Sequence, residues 1–481
     1  MPKPHPLSVL IIRAYSPANI GDGAIALAMA AEAKRVFGPD TRVTFGATDP
    51  DLFRSLLGLE AHPHPIQWGR MGSGRRRLAW LARTTPTLLR VWWATGGGRP
   101  RLERSLAAGR LDPVTVEALR PYLDADIVLA CGGGYLGDEY RLQYPAIHLE
   151  YRAARAAGVP LVFFSQSFGP AERLLSRVLL RRALRIASAF IARDEPSARR
   201  VRARGIGEDG LHICPDVAVL AVPPLGVEPL AGRLGLAMLG RDAYPGSDDG
   251  RHDAYADAVF RTAAAHLARD SANSVRLYCA STPMGPNTMD DVSTAQEMLE
   301  RLQAAGHGSR CSRADWTHDP ASFAADIATC ELLATSRAHA GVLALAQGVP
   351  VVGVANQEKV RGLLQHFGLL HVPVVDLDVR HHAVEPPGIA GNLGTDHHLT
   401  GGAAEGVVFG DRGYGAGEPD VDAIHHVHAI DVDVHFIFVP GGRHVRPGSD
   451  LRHVRHLRRN DMHRRQHLSG DLHLPGDQHL R

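Results

Sequence analysis

The sequence predicts an α/β protein of two Rossmann-like, doubly wound domains facing a cleft, followed by an irregular C-terminal tail. Three observations predict it. Short apolar runs each end at a glycine or polar cluster, which marks buried strands of a parallel sheet. Helix-forming stretches separate these runs, as in sheets covered on both faces. After a stretch rich in proline and glycine, 221–233, the same alternation restarts.

The elements come in order along the chain. Ser8 to Ile12 is a strand, Asn19 to Gly23 a turn cluster, and Ala24 to Phe37 a helix of strong helix formers. Arg42 to Phe45, Asp126 to Cys131, Pro160 to Phe164 and Ala189 to Ala192 are further strands. In the second half, strands are expected at Leu234 to Leu239, Ser274 to Cys279, Cys330 to Ala334 and Val349 to Val354. Helices are expected over Asp253 to Arg269, Thr294 to Ala305 and around Gly341 to Gln347. The resulting division is 1–225, 226–378 and a tail, 379–481.

Composition excludes several classes of function. A length of 481 residues allows about three segments, and 44% apolar residues suffice for globular cores. A net charge of +2 gives no global attraction to nucleic acid, and no nucleic-acid partner is expected. The five cysteines form no C-x-x-C pair, so buried free thiols in a reducing cytoplasm are expected rather than a disulfide framework. The apolar run at the N-terminus is too short for a signal peptide. No stretch reaches the ~20 apolar residues of a spanning helix. The expected location is cytoplasmic, with the inner face of the membrane as a further option.

Two segments stand apart. Between His62 and Glu103 no acidic residue occurs, while eight arginines are interleaved with Trp68, Trp80, Trp92 and Trp93. That mixture suits peripheral contact with anionic lipid through 62–103. An ordinary solvated helical excursion whose tryptophans pack on the domain is the preferred reading of the two. The tail after Asp378 holds 15 of the 27 histidines, without helical periodicity and with no zinc-site spacing. Its composition resembles an out-of-frame translation of GC-rich sequence, so it is expected to be poorly ordered and not a functional module.

Doubly wound sheets bind ligands beyond the carboxyl ends of their strands, so the residues just past each strand are the first candidates. Thr335-Ser-Arg-Ala-His339 leaves a strand just before a helix. Arg337 there offers a planar fork for phosphate or carboxylate, and His339 a group that exchanges protons near neutrality. A structural arginine and a capping histidine are the alternative. Arg241 comes after the first strand of the second domain, and Lys359, one of only three lysines, after the last. Asn19 and Asp22 suit sugar hydroxyls from the opposite side, or else stabilise a turn and cap a helix. Gly132 to Gly134 can form an anion-holding nest or a tight turn. Gln166 is a candidate for a substrate hydrogen bond.

These residues sit in a run of motifs. The second half reads Arg337-Ala-His339, Ala344-x-x-x-Gly348-x-Pro350, then Lys359-Val-Arg-Gly362. The first half holds Asn19-Ile-Gly-Asp22, Gly132-Gly-Gly-Tyr-Leu-Gly-Asp138, Gln166-Ser-Phe-Gly-Pro170, Arg193-Asp-Glu-Pro-Ser197 and Pro215-Asp216. Asp290-Asp291 adds an acidic pair in the second half. In order and spacing the chain resembles the polysaccharide pyruvyl transferase family from about Ser8 to Leu377. It departs at Ala338, where that family usually has a large apolar residue, at Asn356 to Glu358, and beyond Leu377.

The resemblance implies a fold similar to B-type glycosyltransferases. It implies transfer of a pyruvyl group from phosphoenolpyruvate to a cell-wall or exopolysaccharide sugar, which is sometimes lipid-linked, forming a ketal. Arg193 and Arg337 would anchor the donor, with Lys359 and Arg241 as further cations. Asn19, Asp22 and Gln166 would serve the acceptor side, and His339 would be the general acid. No metal or organic cofactor is implied. A nucleotide-sugar-dependent glycosyltransferase of the same architecture and a non-catalytic sugar-binding or assembly protein are the competing expectations.

Overall fold

The computed structural model describes residues 6–66, 75–140, 142–207, 210–243, 249–284 and 289–354. All fall within one unit, Met1–Asp431. Lys359, Asn356 to Glu358 and the whole tail lie outside the described residues.

The first half runs β1 (Ser8–Ala14), α1 (Ile20–Phe37), β2 (Arg42–Ala47), α2 (Pro50–Leu57), β3 (Ala61–Pro63), α3 (Arg75–Ala94), α4 (Arg99–Ala107), α5 (Pro113–Leu119) and α6 (Pro121–Asp124). It continues with β4 (Ile127–Ala130), β5 (Gly133–Leu136), α7 (Tyr144–Ala157), β6 (Leu161–Phe168), α8 (Leu174–Ile186), β7 (Ala189–Ala192), α9 (Glu195–Arg202) and β8 (Leu211–Ile213). The strands form one parallel sheet in the order β3-β2-β1-β4-β6-β7-β8, with β5 beside β6. Val9 to Ile12 of β1 are fully buried because β1 is central and helices cover both faces.

The second half runs β9 (Leu230–Ala237), α10 (Asp249–Arg269), β10 (Ser274–Tyr278), α11 (Asp291–Leu302), β11 (Cys311–Arg313), α12 (Pro320–Ile327), β12 (Cys330–Thr335), α13 (Ala338–Ala346) and β13 (Val351–Gly353). Its parallel sheet has the order β11-β10-β9-β12-β13. A Cβ at Gly235 of β9 would come within 2.9 Å of Leu333 and 3.0 Å of the Cys330 sulfur, so a larger residue at the centre of this sheet would have to displace both side chains. Both sheets are doubly wound and parallel, as the alternation of runs predicts.

Three local expectations need correction. The Asn19 to Gly23 cluster is not a free turn: α1 starts at Ile20, because Asn19 caps it with its side-chain oxygen on the Gly21 amide at 3.1 Å. Gly132 to Gly134 form neither a nest nor a strand-to-helix turn. Gly133 and Gly134 enter strand β5, while Gly132 packs so tightly on the Ser165 carbonyl that a Cβ would sit 3.0 Å from it. The expected linker is partly strand, since β9 takes its last residues from Leu230 on. The rest is tied down by Gln347, whose Oε1 accepts from the Leu225 amide at 2.9 Å. All five cysteines are free thiols, and four are buried. Among the described residues no helix is long and apolar enough to cross a membrane.

Candidate active site at the junction of the two sheets

The carboxyl ends of the two sheets meet, and the meeting is hydrogen-bonded. Asn19 forms an antiparallel bridge with Ser281, just past β10. The Ile20 amide donates to the Ala280 carbonyl at 2.8 Å, and the Thr282 amide to the Ala18 carbonyl at 3.0 Å. The start of α1 is therefore stitched to the loop beyond β10, and Asn19 serves as cap and bridge. Asp22 lies in the first turn of α1, close enough to Cys131 for its charge to add to burial in raising that thiol.

His339 is set by the turn that leaves β12. Thr335 Oγ1 accepts from the Arg337 amide at 2.9 Å, and Ser336 Oγ pairs with the Tyr255 hydroxyl at 2.9 Å. This turn opens α13 with His339 in its first turn. Its Nε2 lies 3.4 Å from Asp216 Oδ2. Asp216 is buried, accepts from the Ala218 amide at 3.0 Å, and pairs with Arg193 Nη1 at 2.6 Å. Arg193 in turn donates through Nε to Ser167 Oγ at 2.9 Å. Ser167, Arg193, Asp216 and His339 thus form one polar chain across the junction. Burial alone would raise the Asp216 carboxyl, but Arg193 first and then His339 and the amide hold it well below the usual carboxylate range.

Asp216 carries the arrangement, yet the motif pattern assigns it no role. It is placed by Ser165, one of two non-glycine residues with positive φ among the described residues (49°). Ser165 Oγ donates to the Pro215 carbonyl and accepts from the Val217 amide, each at 3.1 Å, clamping the segment on either side of Asp216. A strained serine that fixes a buried carboxylate fits the tendency of strain to collect at functional sites.

Gly21 is the second residue whose part is invisible in sequence. A Cβ there would overlap the His339 ring and fall equally on Cγ and Nδ1, so the ring face rests on the bare Cα of α1. Gly21→Ala is expected to cost up to ~2 kcal/mol of stability, because overpacking of ~1–3 kcal/mol is only partly offset by the ~1 kcal/mol helix preference for alanine. Turnover is expected to fall ~100-fold through displacement of the imidazole. A melting curve beside a rate measurement checks both, and an unchanged rate would show that the ring's seat does not matter.

Arg337 belongs to a neighbouring group. Its fork engages Asp291, and Nη1 approaches the Met289 sulfur at 3.5 Å. Its Nε is buried without a hydrogen-bond partner. Asp291 is buried and also accepts from the Gly240 amide at 2.9 Å and the Ser281 amide at 3.0 Å, so it ties the ends of β9, β10 and β12. Burial pushes its carboxyl up, against the pull of Arg337 and the two amides.

The other candidates lie differently. Arg241 sits on a half-exposed turn after β9 and pairs with Asp253 at 2.6 Å, outside both clusters. Gln166 is fully buried, and its amide donates to the Gly133 carbonyl and to the Ser167 carbonyl at 3.1 Å, which is a bracing position. Lys359 is not among the described residues. Among those described, no cluster of three or more His, Cys, Asp or Glu is arranged to hold a metal ion.

The motifs acquire physical reasons at this junction. In Arg193-Asp-Glu-Pro-Ser197, the arginine reaches Asp216. Asp194 caps α9 on the Ser197 amide at 2.7 Å, and Ser197 Oγ accepts from the Phe168 amide at 2.9 Å. In Gln166-Ser-Phe-Gly-Pro170, a Cβ at Gly169 would come within 2.8 Å of Gly137.

Solved structures similar to this chain include Staphylococcus aureus MnaA with UDP, at 11% identity and TM-score 0.44 over 76% of this chain and 88% of that one. Neisseria meningitidis UDP-GlcNAc 2-epimerase aligns at 10% identity and TM-score 0.42, over 76% and 91%. Anabaena Alr3699/HepE with UDP and glucose aligns at 15% identity and TM-score 0.39, over 72% and 80%. No curated protein matches the chain. A sequence profile of polysaccharide pyruvyl transferases matches residues 19–358, from the capping Asn19 past His339 and β13. With that profile covering well over half of its length, the chain belongs to the polysaccharide pyruvyl transferase family.

Proposed function

We propose that the protein transfers the pyruvyl group of phosphoenolpyruvate to two hydroxyls of a cell-wall or exopolysaccharide sugar, with His339 as the general acid. The observation that carries this reading is the contact of His339 Nε2 with a carboxylate kept ionised by Arg193 at the junction of both sheets. An ionised Asp216 beside Nε2 holds the ring's orientation and so positions the imidazole for proton exchange.

The reaction balances on this basis. His339 protonates the methylene carbon, positive charge develops at the central carbon, and one sugar hydroxyl adds there. Phosphate leaves as the second hydroxyl closes the ketal. Of the two hydroxyl protons lost, one replaces the proton given to the methyl group and the other departs with hydrogen phosphate. Neither a metal nor an organic cofactor enters this balance. Arg193 and Arg337 are the cations nearest the chemistry. Each already carries a carboxylate, so the donor anion is received by their remaining N–H groups, Nε of Arg337 among them.

His339→Ala is expected to slow phosphate release from phosphoenolpyruvate at least ~100-fold in the presence of an accepted saccharide. An unaltered rate removes His339 from the chemistry. Consumption of a nucleotide sugar without use of phosphoenolpyruvate overturns the reaction class altogether.

A further inference from the structure

The outer surface of the first half carries an arrangement unrelated to the junction. Helix α3 buries Val91 and Ala94 against the domain, yet its opposite side is also apolar. Leu89 is 61% exposed, Trp92 56% and Trp93 47%. Spacings of three and four residues align these side chains on one outward stripe. Two tryptophans and a leucine in water are costly for a helix whose inner face already supplies its packing.

Arginines frame the stripe. Arg152 of α7 lies over the Trp92 ring at 5.3 Å, and Arg101 of α4 over the Trp93 ring at 5.1 Å. Arg152 donates to the Trp92 carbonyl at 3.1 Å, which locks the edge of the patch. Arg155 and Arg182 are exposed on α7 and α8 and, after burial, depress the Arg152 pKa. The same positive field adds to burial in bringing His148 down to about 4. Helix α8 contains no acidic residue and exposes Leu174 and Leu175 beside its arginines.

We propose that this face, built from α3, α7 and α8, seats the protein on an anionic phospholipid bilayer. Trp92, Trp93 and Leu89 enter the headgroup boundary, while Arg101, Arg152, Arg155 and Arg182 meet lipid phosphates. Indole rings favour that boundary because one edge is apolar and the other donates a hydrogen bond. The arginines stacked on them keep a charge at the same depth. A nucleic-acid partner fits less well, since the apolar stripe lies on the outermost side of α3 where a phosphate backbone has nothing to offer Leu89.

The full chain is sedimented with vesicles of phosphatidylcholine alone and of phosphatidylcholine with phosphatidylglycerol. Binding to the anionic vesicles only, weakened by salt, is expected. Trp92→Ala with Trp93→Ala should abolish it. Arg155→Glu with Arg182→Glu should weaken it at least ~30-fold, from about 1 kcal/mol for each basic residue at the surface. All four positions are exposed, so an unchanged melting temperature and unchanged phosphate release are expected, and the charge reversal carries the test if the tryptophan variant fails to fold. Equal binding to neutral vesicles, no binding to anionic ones, full binding by the charge reversal, or preference for a duplex RNA at the same salt overturns the assignment.

Discussion

Asp216→Asn is expected to lower the melting temperature by roughly 10 °C and to reduce turnover in the variant that still folds. The thermal effect comes from Arg193. Its guanidinium is buried against Asp216, and a neutral amide leaves that charge uncompensated, at a cost of ~3–5 kcal/mol. In a domain of this size each kcal/mol shifts the midpoint by about 2–4 °C. The kinetic effect comes from His339, which loses the carboxylate that orients it.

Acid distinguishes this origin from generic damage. The folded Asp216 pKa is depressed, so its contribution is complete above the unfolded value near ~4 and is lost as pH falls toward the folded one. The stability gap between the parent protein and Asp216→Asn should therefore be flat around neutrality and shrink below about pH 4. A gap that persists or widens in acid means the ionised carboxylate is not its source.

Asp291→Ala is the second large effect. Three donors lose their acceptor at once: the Gly240 amide, the Ser281 amide and the Arg337 fork. At ~1–3 kcal/mol for each buried donor left unsatisfied, a loss of several kcal/mol is expected, unless water refills the site. The pH signature is opposite to that of Asp216. Burial raises the folded Asp291 pKa, so its contribution is greatest below the unfolded pKa and declines as pH rises through the folded one. The gap between the parent and Asp291→Ala should widen in acid where the Asp216→Asn gap narrows. Parallel denaturant titrations across pH 3 to 7, about the range set by the carboxylate pKa values, check the pair. Two gaps of the same slope would mean that both carboxylates sit in equivalent surroundings.

The strands are legible in sequence because each is a short apolar run in a sheet buried on both faces. Ala189 to Ala192 and the starts of β1, β2, β10 and β12 fall where the runs predict. Boundaries differ where a side chain outside the local pattern decides them. Asn19 captures the Gly21 amide and brings the start of α1 forward, and Gln347 holds a segment that reads as a loose linker.

Site positions are visible as motifs, but partners are not. Asp216 and His339 lie more than a hundred residues apart, and nothing local in Pro215-Asp216 shows that the carboxylate will face a ring from the other sheet. Gly21 reads as turn chemistry because a missing Cβ leaves no trace of what fills its place. Gln166 and Arg241 read as ligand contacts from their location after strands. The structure gives one to the glycine segment and the other to Asp253.

The backbone stitch between residues 18–20 and 280–282 has a bearing on how this enzyme can be recombined. Either half expressed alone would break the contact of His339 with Asp216 and Gly21, the imidazole on one piece and its carboxylate and glycine seat on the other. A chimera joining halves from two relatives would have to match at that seam before any difference in activity could be read from it. Mixing separately produced halves should restore turnover only to the extent that the seam re-forms, which makes reconstitution a direct gauge of its strength.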